Sequence, residues 1–177
     1  MPTRIFFVCL MVIRYNIAVM YITPHVLAGT AVGLAVGDPV LGFLGGMASH
    51  YILDAVPHTD SGTWHFYESF TSHRVDTRDF AAGIIDLSLA IFGFVWLAGS
   101  APLVAPAPIW GALGGAAPDL LVLSSLFFPK TANWPILKTY YYYSEKFHYT
   151  APPKLWFLGI VTQLLVVGGA LWYLLAS

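Results

Sequence analysis

The chain has 177 residues, of which 58% are hydrophobic and 10% are charged, and its mean hydropathy is +0.71. Soluble domains carry about a quarter charged residues, so this chain could not cover a globule of its size with charge, and its apolar surface is expected to face lipid. The formal net charge of −1 leaves no basic patch for nucleic acid, and the single cysteine, Cys9, excludes a disulfide framework and a thiolate metal site.

The N-terminal segment, residues 1–22, is apolar but interrupted. Arg4 precedes a short apolar run, Arg14 ends it, and no small-residue cleavage site follows. Two interpretations stay open. The segment is either an additional helix or absent from the mature protein, whose first residue would then be Met20. The remainder, residues 23–177, is expected to form a single transmembrane helical domain.

Apolar stretches of about the length that a helix needs to cross a hydrocarbon core, roughly 20 residues, follow one another along this domain. They cover residues 24–37, 39–56, 80–99, 104–128 and 155–176. The first two are short, and Gly37-Asp38-Pro39 between them predicts a tight turn and an antiparallel helix hairpin. The predicted fold class is therefore all-α, a polytopic helical membrane protein of four or five spans.

Two polar loops, 57–79 and 129–154, follow the second and the fourth stretches and so lie on the same side of the membrane. The second loop contains four lysines and one acidic residue, and loops rich in Lys and Arg stay in the cytoplasm. The first loop has more acidic than basic residues, but acidic residues count little in this rule. Both loops are therefore predicted to be cytoplasmic.

Histidines and aspartates are concentrated toward that side. His25 lies at the start of the first helix, two residues after Thr23, the expected N-cap. His50 and Asp54 are spaced i, i+4 and so share one face of the second helix. The remaining members approach the same side from helix ends or from the loops: His58, Asp60, Asp86, Asp119 and His148. A carboxylate inside a membrane costs several kcal/mol unless it is paired, so these aspartates need cations, protons or hydrogen-bond donors nearby, and their convergence favours a site.

Imidazoles mixed with carboxylates and without thiolates suit zinc, manganese or iron. The sequence predicts one or two divalent ions, with zinc or manganese expected first. The predicted metal ligands are His25, His50, Asp54, His58, Asp60 and Asp119. Asp86 or His148 is predicted as a further ligand or as the general base.

A simpler interpretation exists for each of these residues. His50 and Asp54 could form a hydrogen-bonded pair that only joins helices. Asp86 and Asp119 could be protonated or hydrogen-bonded to neighbouring hydroxyls. Asp38 is predicted to be a turn residue and nothing more.

An internal repeat is also suggested by the sequence. Residues 42–50 align with residues 111–119 with five of nine positions identical, and each stretch ends in an ionisable residue. This similarity predicts two helix hairpins related by an axis along the membrane normal, with the site between them. The alternative is that Gly-Gly runs recur in closely packed membrane helices.

The most specific string in the chain is Ser49-His50-Tyr-Ile-Leu-Asp54-Ala-Val-Pro57-His58-Thr-Asp60. Together with Thr23-Pro24-His25, Gly115-Ala-Ala-Pro118-Asp119 and Phe147-His148, it resembles small prokaryotic inner-membrane proteins known as predicted membrane-bound, metal-dependent hydrolases. The resemblance covers roughly residues 23–170 and implies a multi-pass inner-membrane protein. Of that family's Pro-Asp-x-Asp-His string the chain keeps Pro118-Asp119, which three apolar residues follow.

The leading hypothesis is therefore a metal-binding integral membrane protein that hydrolyses a phosphoester or lipid-linked substrate at the cytoplasmic membrane face. Its expected partners are membrane lipid and a small-molecule or lipid substrate. Two alternatives use the same residues. One is a transporter or sensor of metal ions or protons, and the other is a structural membrane protein without catalysis.

Overall fold

A computed structural model describes residues 21–59, 77–100, 105–128, 134–149, 151 and 153–177. In these ranges the regular elements are helices, as the sequence predicted. They are α1 (Ile22–Val36), α2 (Pro39–Asp54), α3 (Thr77–Ser100), α4 (Pro106–Phe127), α5 (Pro135–Phe147) and α6 (Trp156–Ala176), and a 3₁₀ turn at Pro153–Leu155 precedes α6. The five predicted apolar stretches coincide with α1, α2, α3, α4 and α6.

The predicted hairpin of α1 and α2 is confirmed. Gly37 ends α1 in the left-handed region, with φ of 72°, and its N–H donates to the carbonyl of Gly33 at 3.0 Å. Oδ1 of Asp38 accepts the N–H groups of Val40 and Leu41, each at 2.9 Å. Asp38 is therefore the N-cap of α2, which is the turn role expected for it.

Glycines bring α1, α2 and α4 into direct backbone contact. A Cβ atom on Gly29 of α1 or on Gly46 of α2 would overlap the carbonyl group of Gly111 in α4. A Cβ atom on Gly115 of α4 would overlap the carbonyl oxygen of His25. Helices approach this closely only where side chains are missing. These three helices thus form one compact unit, which we call the central unit.

Helices α3 and α6 pack on the outer side of α1. Leu27 of α1, Leu97 of α3 and Leu174 of α6 meet in one buried apolar cluster. Within the described residues α3 packs mainly against α1, and its contact with α4 is slight, so α3 and α4 do not form the closely packed second hairpin that the repeat predicted. The glycine-lined face of α4 is occupied by α1 and α2, which leaves α3 without a matching surface there.

Helix α5 lies within the segment that was predicted to be a polar loop, residues 129–154. Its inward face places Tyr140 and Tyr141 against α4, where their hydroxyls donate to the carbonyls of Pro118 at 3.2 Å and Leu121 at 3.1 Å. Burial raises the pKa of Tyr140 well above its usual value, so its hydroxyl remains a proton donor. Two hydroxyl–carbonyl bonds thus fix α5 on the end of α4.

Two helical stretches are long and apolar enough to cross a membrane by length and composition, Ala81–Gly99 in α3 and Trp156–Ala176, which is α6. α1 is a shorter apolar helix. Large apolar side chains on the two long helices face outward, with Phe92 69% and Trp172 75% exposed. Four or five spans were predicted, and two of the corresponding helices meet this test of length and composition within the described ranges.

Candidate metal centre

Histidine and aspartate side chains from several segments meet at one end of the central unit. The N-terminal turn of α1 supplies His25, the last two turns of α2 supply His50 and Asp54, and α4 supplies Asp119. These groups are buried, with His25 0%, His50 2% and Asp54 3% exposed. The convergence predicted from the sequence is thus present in the fold.

Asp54 makes most of the contacts in this group, which we call the Asp54 cluster and which consists of Asp54, His25, His50, His148 and Asp119. Its Oδ1 lies 3.3 Å from Nε2 of His25, and its Oδ2 lies 3.1 Å from Nε2 of His50 and 3.5 Å from Nδ1 of His148. Nε2 of His50 is also 3.8 Å from Oδ1 of Asp119. One carboxylate therefore faces three imidazoles, with a second carboxylate behind them.

The tautomer of His50 follows from its other neighbour. Nδ1 of His50 lies 2.8 Å from the carbonyl oxygen of Gly115, and a carbonyl can only accept a hydrogen bond, so Nδ1 carries the proton. In a neutral ring Nε2 then carries a lone pair, and this lone pair faces the carboxylates of Asp54 and Asp119. Such an arrangement requires a cation between them, either an additional proton or a metal ion. Fixing the distal ring nitrogen on a carbonyl is also how metal-binding histidines are usually oriented.

His25 has no hydrogen bond that would explain its burial. Among the described residues neither of its ring nitrogens has a hydrogen-bond partner, and the same holds for Oδ1 of Asp54. The two imidazoles of His25 and His50 stack with ring centroids 3.9 Å apart. A buried polar atom without a hydrogen bond costs about 1–3 kcal/mol, so the chemistry of His25 fits a metal ligand better than a residue that only fills the core.

The geometry of these residues fits a metal ion. Two atoms bound to one tetrahedral zinc ion at about 2.0–2.1 Å lie about 3.3–3.4 Å apart. The separations of Asp54 oxygens from the nitrogens of His25 and His50, 3.3 and 3.1 Å, are close to that value. The three residues form a group whose ligand atoms lie within 4.8 Å of one another. They could hold one divalent ion with little movement.

His58 and His148 lie next to Asp54, and backbone hydrogen bonds join the segments that carry them to each other and to the end of α2. The N–H of Tyr149 donates to the carbonyl of Asp54 at 2.8 Å, and the N–H of Ala151 donates to the carbonyl of His58 at 2.8 Å. Because Asp54 ends α2, its carbonyl has no partner within the helix. The chain after α5 is therefore attached directly to the end of α2.

The remaining predicted site residues are placed as follows. Asp60 lies outside the described residues. Asp119 is in the cluster, 6% exposed, and faces His50. Asp86 is not in the cluster, because its carboxylate accepts the backbone N–H groups of Ile22 and Thr23. Asp86 thus caps the N-terminus of α1 from α3, and Thr23, expected as the N-cap, lies inside the helix that begins at Ile22.

Replacing Asp86 by alanine is expected to lower the free energy of unfolding by about 1–2 kcal/mol, the cost of losing a helix cap. Thermal unfolding in detergent, followed by circular dichroism, measures this loss. Ser88→Ala on the same helix removes only a local bond to the carbonyl of Ile84 and is the control. Unchanged stability with a large loss of activity would instead indicate that Asp86 acts in catalysis.

Two features of the site were missed by the sequence analysis. The carbonyl of Gly115 orients His50, and the absence of a side chain at Gly115 admits His25. The signal was present, because Gly115 stands four residues before Asp119 in a run of small residues. The backbone bonds that attach Tyr149 to the end of α2 and Ala151 to His58 leave no sequence signal, because they involve only main-chain atoms.

Comparison of the chain with protein-family models, with curated proteins and with solved structures finds no match.

Proposed function

We propose that the protein is a membrane-embedded, metal-dependent hydrolase whose metal centre is built on Asp54. The observation that supports this proposal most directly is the buried contact of one carboxylate with His25, His50 and His148 at 3.1–3.5 Å. A pair that merely joined two helices would need one histidine and one acid. Three imidazoles around one carboxylate form a ligand set for a divalent ion.

The chemistry at this centre follows from the ligands. A divalent ion held by His25, His50 and Asp54 would activate water and polarise a phosphoryl or acyl oxygen. Oδ1 of Asp119, 3.8 Å from Nε2 of His50, and the imidazole of His148, 11% exposed, stand next to that position. Either can accept a proton from an attacking water. Zinc or manganese suits this mixture of nitrogen and oxygen ligands.

Membrane embedding is supported by the outward surface of α3 and α6. Soluble monomers rarely expose contiguous apolar patches larger than a few hundred Å², whereas these two helices present large apolar side chains along most of their length. With lysines clustered after α4, the metal centre faces the cytoplasm by the positive-inside tendency. We place the protein in a prokaryotic inner membrane with the centre at the cytoplasmic face.

A lipid-like substrate is supported by a groove beside the metal centre. The groove lies between α1, α3 and α6 and has a volume of about 350 Å³. Pro24, which precedes His25, lines it, and so does Gln163, whose amide donates to the carbonyl of Thr59, the residue after His58. Its other walls are mainly apolar: Ala82, Ile85, Leu89, Ile160, Leu164 and Val167. A hydrocarbon chain in this groove would place its polar end near the Asp54 cluster.

Filling the groove is expected to impair long-chain substrates selectively. Ala82→Trp should lower kcat/KM for a long-chain substrate by about tenfold, because excluding two methylene groups costs about 0.8 kcal/mol each. A short-chain analogue should react at an unchanged rate. Ala81→Trp places the same bulk on the neighbouring exposed position, outside the groove lining. Equal losses in both variants would show that the groove does not bind the chain.

Metal analysis of the detergent-purified protein, prepared without chelator, tests the proposed function first. Stoichiometric zinc, manganese or iron is expected, together with hydrolysis of a phosphoester or lipid-linked substrate that stops on chelation and returns on adding metal back. Absence of metal, with none regained on addition, would overturn the proposal and favour a structural role. Bound metal that crosses proteoliposome membranes, without hydrolysis, would favour transport.

A further inference from the structure

His58 and His148 form a second histidine pair next to Asp54, separate from the stacked rings of His25 and His50. Their Nε2 atoms lie 2.9 Å apart, and their rings meet edge to face with centroids 4.4 Å apart. His58 is 1% exposed, and the His148 side chain is 11% exposed. Together with Asp54 they form another three-residue group whose ligand atoms lie within 4.8 Å of one another.

Neutral imidazoles cannot satisfy all of the nitrogen and oxygen atoms in this group. Nδ1 of His58 lies 2.8 Å from the carbonyl of Val56, so it carries the proton and leaves a lone pair on Nε2. If His148 is protonated on Nε2, its Nδ1 lone pair faces Oδ2 of Asp54 at 3.5 Å. If it is protonated on Nδ1, two Nε2 lone pairs face each other at 2.9 Å. Either neutral tautomer sets two acceptors against each other, so the group needs a cation, either a second proton on His148 or a metal ion.

We propose that a second divalent ion binds between His58, His148 and Asp54, with the Asp54 carboxylate bridging it to the ion held by His25 and His50. This inference rests on the proposed function, because both ions share Asp54. His25 approaches Oδ1 of Asp54, whereas His50 and His148 both approach Oδ2, so this carboxylate contacts imidazoles of both pairs. Paired ions about 3.5–4 Å apart are a common arrangement for displacement at phosphorus.

The position of His58 in the second site depends on the packing of residues 57–59 against α6. Gly159 of α6 lies against this segment, where a Cβ atom would overlap the backbone of His58 and Thr59. The hydroxyl of Thr59 donates to the carbonyl of Trp156 at 2.8 Å, and the hydroxyl of Thr162 donates to the carbonyl of Pro57. The first turns of α6 thus fix His58, whereas His25 and His50 are positioned by the central unit. The second site therefore depends on a contact with α6 that His25 and His50 do not share, although both sites use Asp54.

This assignment changes the role of His148. As a ligand of the second ion it is not available to accept a proton, which leaves Asp119 as the described carboxylate next to the first ion that can do so. On this proposal His148 acts as a metal ligand, so a substitute that can accept a proton but cannot bind the ion would not restore its role. Its partner His58 is oriented by a backbone carbonyl in the same way as His50.

Metal stoichiometry in purified variants tests the proposal. Wild-type protein loaded with Mn²⁺ and freed of excess metal is expected to retain about two equivalents. His148→Ala and the milder His148→Gln should each retain one equivalent, whereas Tyr149→Ala, which alters the adjacent exposed side chain, should retain both. Gly159→Ala should also retain one, while Gly168→Ala on the same helix, where a Cβ atom meets open space, should retain both.

The outcomes separate this proposal from the proposed function. If the wild type binds one equivalent of Mn²⁺, and this ion is retained in His148→Ala but lost in His25→Ala, the second ion is excluded. The proposed hydrolase with a single ion would remain supported. No metal in the wild type would overturn both. Electron paramagnetic resonance of the wild type gives a readout that does not depend on variants. Exchange coupling between two Mn²⁺ ions is expected, and two uncoupled ions would contradict the bridging role of Asp54.

Discussion

Replacing Asp54 by asparagine is expected to abolish metal binding while the helical fold persists. The variant keeps the size of the side chain but removes the charge that faces His25, His50 and His148 at 3.1–3.5 Å. Removing a residue that orients a metal ligand typically costs about 10–100-fold in affinity or activity. Since Asp54 contacts every imidazole of the centre except His58, the loss of hydrolysis should exceed about 100-fold.

The control for this variant stands at the other end of the same helix. Asp38→Asn makes the same chemical change about 24 Å away, since Asp54 lies 16 residues after Asp38 along α2. Asparagine is as good an N-cap as aspartate, so this variant should bind metal as the wild type does. Metal content by plasma mass spectrometry, with circular dichroism as the test of folding, compares the two. Wild-type metal content in Asp54→Asn would contradict the proposed centre.

The position of the cluster could be predicted from the sequence because it depends on few variables. A turn at residues 37–39 makes α1 and α2 antiparallel, so the start of the first helix and the end of the second must lie at one side. His25 and His50 follow directly from that topology. Asp119 follows once α4 is known to be a helix that ends on the same side. Helix periodicity and chain reversal were sufficient for this part of the site.

The part of the site contributed by residues 134–159 could not be predicted in the same way. α5 contains lysines and four consecutive tyrosines, and its lysines suggested a polar loop. Its helix is fixed by the bonds of Tyr140 and Tyr141 to carbonyls of α4, and such pairing depends on tertiary structure. Asp86 was predicted as a further ligand or general base for a similar reason, because its position near the predicted cytoplasmic side does not reveal that its carboxylate accepts the backbone N–H groups at the start of α1.

The metal centre and the packing of the central unit depend on the same glycine. Gly115 lets the backbone of α1 at His25 lie against α4, and its carbonyl accepts a hydrogen bond from Nδ1 of His50. Gly115→Ala is therefore expected to lower the free energy of unfolding by about 1–3 kcal/mol, because the new Cβ atom forces the two helices apart. It should also reduce metal affinity by about 10–100-fold, because the bond that orients His50 is displaced.

A glycine without close neighbours is the control for Gly115→Ala. Its replacement by alanine is expected to have the opposite effect on stability, which separates the effect of helix contact from that of the substitution itself. A Cβ atom on Gly93 in α3 has no neighbour within 4 Å, and alanine is a better helix former than glycine by roughly 0.5–1 kcal/mol. Gly93→Ala should therefore raise stability slightly and leave metal affinity unchanged. Thermal unfolding in detergent and metal titration measure both effects. If Gly115→Ala behaved like Gly93→Ala, the close approach of α1 and α4 would not be what positions His25 and His50.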